Sequence, residues 1–383
     1  MSKKIDHSAR AHAVLSASSS SRWLKCPPSA VAATMYPSTG TEFTREGTLA
    51  HEVAEIVVRE RMEGRYPTLD NYVWFDGVTT EMLDCAHAYA DYIQELITDN
   101  NAVVLLEQRL DLTPWVPDGF GTADCIIIQG NRLDVVDYKY GQGVAVSAEG
   151  NSQMRLYGLG AFHEFGDIYE IHEVGMHIFQ PRLNNISPEA LAAEELLDWG
   201  EEVEPIAKLA AEGKGEYCSG EHCRFCPHAG QCPTLSADCM KVVNLGGGKA
   251  AVPTMASWMI ADILKQESLI TGWLKAVKER ALSQMLNGEE IPGFKVVEGR
   301  GSRDWRSADE VEAFMESSGF QSAEYLKTEL FSPYQMEKSI GKKRAAELLS
   351  DFIITKPGSP TIAPATDKRE AYNQQEASRK AFE

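Results

Sequence analysis

Long apolar runs are missing from this 383-residue sequence. No stretch approaches the roughly 18 consecutive apolar residues of a membrane span, so no membrane partner is expected. The opening MSKKIDHSARAHAVLSASSSS is basic and serine-rich but lacks the continuous apolar core of a signal peptide, which predicts a soluble, cytoplasmic protein. Basic charge is also scarce, with 37 Lys and Arg against 56 Asp and Glu and a net charge of −19. That excludes a histone-like protein or a passive coat for nucleic acid, whose affinity rests on an overall basic surface. It leaves open an enzyme that grips DNA through one local basic groove, and a site whose carboxylates hold metal ions. Eight cysteines are too few for a disulfide scaffold. Thirty glycines and 17 prolines imply neither a collagen-like nor a wholly disordered chain. No internal repeat is present.

What is there reads as a large α/β unit followed by a helical one. Residues 1–20 form a polar lead-in expected to be mobile, and residues 21–240 a compact α/β domain. From Arg45 to Arg61, Leu49, Val53, Ile56 and Val57 fall at helical spacing. Three strand-like runs follow at 102–112, 121–128 and 132–140, the last two joined by the turn sequence Gln129-Gly130-Asn131. A helix is expected over 149–165 and a strand over 174–182. Ser187-Pro188 reads as a cap with proline at the first helical position, which predicts an acidic helix over 187–212. Glycine-rich 241–253 reads as a hinge. Residues 254–355 read as mainly helical, with one long amphipathic pattern over 256–287 and a helix over 332–350. An extended tail closes the chain at 356–383.

The chemistry gathers on the expected hairpin. Asp124 closes Gly121-Thr122-Ala123-Asp124, and Asp137 and Lys139 stand two apart in Val135-Val136-Asp137-Tyr138-Lys139. Alternate strand residues share a face, so Asp137 and Lys139 project together, and a hairpin in register brings Asp124 towards them. Two carboxylates and a lysine suit metal-assisted phosphodiester hydrolysis. Hard oxygens hold Mg²⁺ or Mn²⁺, the ion acidifies a water, and the lysine stabilises developing charge. A salt-bridged strand face is the plainer reading of this pair alone. Two further elements accompany it. His51 lies early in the first helix, in Gly47-Thr48-Leu49-Ala50-His51, and Gln153 and Tyr157 are spaced to share one helix face.

These four elements, in this order, resemble the PD-(D/E)XK nuclease superfamily in its RecB-like branch. The branch carries G-x-x-x-H, G-x-x-D, D-x-K and Q-x-x-x-Y, here Gly47 with His51, Gly121 with Asp124, Asp137 with Lys139 and Gln153 with Tyr157. The resemblance covers roughly residues 15–235. It implies a restriction-endonuclease-like αβββαβ core, with a mixed central sheet flanked by helices and a helical C-terminal extension. It further implies that His51, Asp124, Asp137 and the Tyr138 carbonyl bind metal and that Lys139 is the catalytic lysine. Gln153 would orient that lysine or the substrate phosphate, and Tyr157 would contact DNA. Glu107, in LEQRL on the preceding strand, is a possible supporting carboxylate, with a structural role as the preferred reading.

Five of the eight cysteines fall between Cys218 and Cys239. Spaced Cys218-x4-Cys223-x2-Cys226-x5-Cys232, they could wrap Zn²⁺ or supply an iron–sulfur cluster. Iron–sulfur RecB-like nucleases place one cysteine before the core and three after it, and Cys26 with Cys223, Cys226 and Cys232 is similar to that pattern. The resemblance implies a [4Fe–4S] cluster stapling the domain's two ends. Cys218 has no place in that scheme; as an alternative fourth ligand it would make the site local and favour Zn²⁺.

Downstream, Arg300, Arg303 and Arg306 beside Trp305 could track a phosphate backbone, or form a solvated loop. The arrangement looks like phage and prophage proteins that pair a RecB-like nuclease with a helical extension. It implies a metal-dependent DNA exonuclease in recombination or end processing, in the cytoplasm of a bacterial host. A single-strand annealing or single-strand-binding protein would be its partner. Two other readings compete: a non-cleaving DNA-binding or assembly scaffold, and a zinc-only regulatory protein.

Overall fold

The computed structural model describes residues 13–36, 42–72, 77–244 and 257–296. Two short helices, α1 (Ser20–Trp23) and α2 (Ser29–Ala33), precede the long α3 (Glu42–Met62) and α4 (Thr80–Leu96). Strands β1 (Val103–Asp111), β2 (Phe120–Gln129) and β3 (Arg132–Tyr138) follow, then α5 (Ser152–Tyr169), β4 (Glu173–Gln180) and β5 (Asn185–Ala192). Helices α6 (Ala193–Ala211), α7 (Pro233–Asn244), α8 (Ser257–Lys265) and α9 (Glu267–Leu286) complete the described chain. The five strands lie in sequence order in one mixed sheet, parallel at β3–β4 and antiparallel elsewhere. The expected α-β-β-β-α-β order is present, with α4 inserted after the first helix. Gln129 pairs with Arg132 across a tight turn, and Gly130 takes a φ of +57° there at no Cβ cost.

The sheet buries both faces. Ile126, Ile128, Leu133, Val135, Val174, Met176 and Ile178 pack with α5 and α6. Cys125, Ile127, Val136, Tyr138 and Phe179 face α3 and α4. Helix α5 starts at Asn151, whose side chain accepts from the Gln153 and Met154 amides.

Four expectations need correction. Residues 185–192 form an edge strand, and the helix starts at Ala193. Asn185 to Ala192 alternate between half-buried and exposed, and Pro188, which has no N–H to offer a ladder, is tolerated at the sheet edge. The lead-in is anchored before residue 20, because Leu15 and Ala17 are buried in the α5–α6 core and the Trp23 indole donates to Ser16 O. The single pattern over 256–287 is two helices, α8 and α9. The chain divides into two compact units, Met1–Val297 and Glu298–Glu383, so α8 and α9 share a unit with the sheet and the division falls beyond 241–253. Helix 332–350, the 356–383 tail and Arg300, Arg303 and Arg306 lie outside the described residues.

Candidate metal centre and its comparisons

The β1–β2 ladder has one gap, where Glu107 faces Asp124. Leu106 pairs with Cys125 and Gln108 with Ala123, while Glu107 itself holds a φ of +52°. A left-handed non-glycine residue inside a strand is costly and marks a place where surrounding structure imposes the conformation. Both strands change face there. Leu106 and Cys125 point to the α3–α4 core, whereas Leu110 and Ala123 point to the α5–α6 core. The reversal turns two carboxylates out of the ladder at the same level.

Helix α3 brings His51 to them. Its Nδ1 lies 3.2 Å from Asp124 Oδ1, and the Tyr138 amide donates to Asp124 Oδ2 at 2.7 Å. One ligand atom from each of His51, Glu107 and Asp124 falls within 4.8 Å of the others, a set of one imidazole and two carboxylates able to hold a cation. Glu107 thus joins the centre, where a structural role was the preferred reading; the local sequence carries no signal for the strand reversal that puts it there. Tyr138, expected to offer its carbonyl, meets the site through its N–H, and its ring lies edge-on to His51.

Asp137 and Lys139 occupy the adjoining ground. Lys139 Nζ lies 2.9 Å from Asp137 Oδ2 and donates to Asp137 Oδ1 at 3.2 Å and to Gln153 Oε1 at 3.3 Å. Gln153 Nε2 in turn donates to Asp137 Oδ1 and to the Tyr157 hydroxyl, each at 3.3 Å. The expected i, i+2 pair and i, i+4 pair therefore meet as one network. Asp137 belongs to this network, outside the three-ligand set. Its buried Oδ2 has the Lys139 ammonium at 2.9 Å as its ion-pair partner. Tyr157, expected at the DNA, is buried, and its ring covers Gly121, where a Cβ would stand 2.5 Å from Tyr157 Cε1.

Electrostatics divides the two carboxylates. Burial raises the Asp124 carboxyl, but His51, the Tyr138 N–H and Lys139 outweigh it and leave the group below its ordinary range. Burial also raises Asp137, and Lys139 offsets that only in part, so it stays above the ordinary range. Burial lowers His51 and Lys139, but facing carboxylates, Asp124 for the first and Asp137 for the second, hold both above their usual values.

The cysteines lie elsewhere in the unit. Cys223, Cys226 and Cys232 follow one another through tight turns, with Cys226 N donating to Cys223 O and Ala229 N to Cys226 O. The N-terminal segment meets them through Tyr36, whose hydroxyl lies 2.9 Å from His228 Nδ1. Burial pushes the Cys223 thiol up to about 11, assisted by charge on Cys226, Cys232 and Cys26. Cys226 is raised by burial first, then by Cys26 and Cys232, against the opposing pull of Arg22. Cys218 is exposed, its carbonyl accepting from His222 Nε2 at 2.8 Å and from Cys223 Sγ at 3.9 Å.

Fold and site together define an α/β protein with a five-stranded mixed sheet and a cation-capable cluster at a strand reversal. The chain belongs to the family described as "Protein of unknown function (DUF2800)", whose model matches residues 12–370. A solved structure titled "Crystal structure of SSO0001" is similar at 15% identity over 48% of this chain and 85% of that chain, with a TM-score of 0.25. A likeness of that size is too slight to carry fold or function across. Among the described residues, no helix is long and apolar enough to cross a membrane.

Proposed function

We propose that the protein is a metal-dependent DNA nuclease that hydrolyses phosphodiester bonds, acting as an exonuclease in phage recombination or DNA end processing. The observation that carries this reading is the placing of His51, Glu107 and Asp124 beside the Asp137–Lys139–Gln153 network. The donor set, one imidazole and two hard carboxylates, fits Mg²⁺ or Mn²⁺, and Asp137, ion-paired with Lys139, adds a third carboxylate to the adjoining network. A bound cation would polarise the scissile phosphate and acidify a water.

The chain's own groups do the rest. Lys139 stays protonated, so it acts as a fixed positive charge beside the phosphate rather than as a base. Gln153 bridges Lys139 and Asp137 and fixes their separation. Asp124, ionised and held by the Tyr138 amide, keeps one oxygen towards His51.

Cys26, Cys223, Cys226 and Cys232 are read as ligands of a [4Fe–4S] cluster, with Zn²⁺ as the alternative. A buried Arg22 Nε without a hydrogen-bond partner, close enough to favour the Cys226 thiolate, suits a centre carrying net negative charge. So does the Leu235 amide donated to Cys232 Sγ at 3.5 Å. The partner is DNA, with a single-strand annealing or single-strand-binding protein as co-worker in the host cytoplasm.

The test is cleavage of end-labelled linear and closed circular DNA with Mn²⁺ by oxygen-free protein, wild type against Lys139→Ala. Loss of linear-DNA cutting in the variant supports the site. Cutting of the circle would make the enzyme an endonuclease. No cutting by folded, metal-replete wild type would favour a non-cleaving scaffold, which the net charge of −19 also suits.

A further inference from the structure

Helix α9 is attached to the rest of the unit in an unusual way. Among the described elements its principal neighbours are the turns at Glu221–Phe225 and Ala229–Gln231, α7 and α8. No strand of the sheet and none of α3 to α6 is among them. The contact face is Leu269, Ile270, Trp273 and Ala276, a helical stripe laid on Ala229, Cys232, Leu235 and Cys239. The Trp273 indole donates to Ser236 Oγ at 3.1 Å. At Gly230 the two backbones nearly touch, since a Cβ there would stand 2.6 Å from the Ala276 carbonyl oxygen. In the amide orientation that satisfies both neighbours, the Gln231 oxygen accepts from Arg280 Nη2 at 2.7 Å and Nε at 2.5 Å. Its nitrogen then donates to the Tyr36 hydroxyl at 2.8 Å. Three stretches far apart in sequence, Tyr36, 223–239 and α9, thus meet around the cysteines.

The surface that α9 rests on has little to hold it in shape. Between Gly220 and Cys232 the backbone is 3-10 turns and loops. The buried core beneath consists of Ala229, Cys232, Leu235 and Cys239. A patch of that size is too small to be fixed by apolar burial alone, and small folds of this kind are commonly fixed by a metal whose binding energy is folding energy.

We propose that the cysteine centre is the dock for α9: with the thiolates metal-bound the 220–239 surface is set and the helix stays seated, and with the metal gone the helix comes away while the sheet stays folded. This rests on reading the cysteines as ligands. It makes metal occupancy a control on the segment that leads to the C-terminal unit, separate from the chemistry at Asp124.

Hydrogen exchange on the full chain tests it, with iron and zinc measured in every sample. Three samples are compared: protein as isolated under anaerobic conditions, protein stripped with EDTA and ferricyanide, and Cys226→Ser. Exchange in peptides of 267–286 should rise at least tenfold in the last two, while peptides of 152–169 keep their protection. Ferrous iron with sulfide, or Zn²⁺, should restore the stripped sample. Gly230→Ala should loosen α9 with the metal still bound. Unchanged α9 exchange after proven metal loss overturns the proposal, as does equal loss of protection in 152–169. Protein that holds neither iron nor zinc as isolated would instead remove the ligand reading beneath it.

Discussion

Substitution of Gly121 by alanine should disable the candidate site from outside its polar network. The added Cβ would stand 2.5 Å from Tyr157 Cε1 and 3.2 Å from Cδ1. Ordinary carbon contacts begin near about 3.5 Å, so the ring must retreat by about 1 Å. The Tyr157 hydroxyl, which accepts from Gln153 Nε2 at 3.3 Å, has no slack for such a move, and Gln153 is the bridge between Lys139 and Asp137. Overpacking of this kind costs about 1–3 kcal/mol of stability. Displacing reacting groups by about 1 Å can cost about 100-fold in rate. Urea unfolding measures the first and Mn²⁺-dependent DNA cleavage the second. The decisive arm is Tyr157→Leu, which removes the ring edge. Gly121→Ala should cost markedly less in that background than in wild type. Equal costs in the two backgrounds would refute the steric argument, and full activity of the single variant would refute the positional one.

Other predictions follow from the same geometry. Glu107→Gln should weaken Mn²⁺ binding at least tenfold by titration calorimetry without unfolding the protein, because the site loses a carboxylate ligand. Gly175→Ala would place a Cβ 1.9 Å from Asp134 Oδ1 and 2.6 Å from Arg132 Nη2, prising the buried Asp134 carboxylate from the half-exposed Arg132. Overpacking of this kind costs about 1–3 kcal/mol, which urea unfolding would register. Burial raises the Asp134 carboxyl, but His177 and Arg132 outweigh it and hold the group below its ordinary value. Its contribution is therefore complete above the unfolded pKa of about 3.9 and is lost as pH falls through the lower folded value. Asp134→Asn should accordingly flatten the acid limb of stability below about pH 4, read from urea midpoints across pH 2.5 to 6.

How much was legible depended on whether a signal was local. The hairpin was, since a glycine turn between two apolar strands sets its own register, and Asp137 and Lys139 share a face through strand period alone. Helical spacing likewise put Gln153 and Tyr157 on one face of α5. Ser187-Pro188 shows the converse: a good local capping signal lost to pairing with β4, which buries one side of 185–192. Helix α4 carries no sequence motif, although it supplies Tyr89 and Ile93 to one core.

By itself the sequence determined the residue types, their order and the strand and helix periods that aim each side chain. Those are properties of neighbours a few positions apart. Only the tertiary structure decided that Glu107 stands with His51 and Asp124, because the reversal of β1 and β2 is imposed by two cores pulling on opposite sides of one sheet. It also decided that α9 rests on the turns that carry Cys223, Cys226 and Cys232. Roughly 40 residues separate Cys232 from Trp273, and no local periodicity spans such a distance.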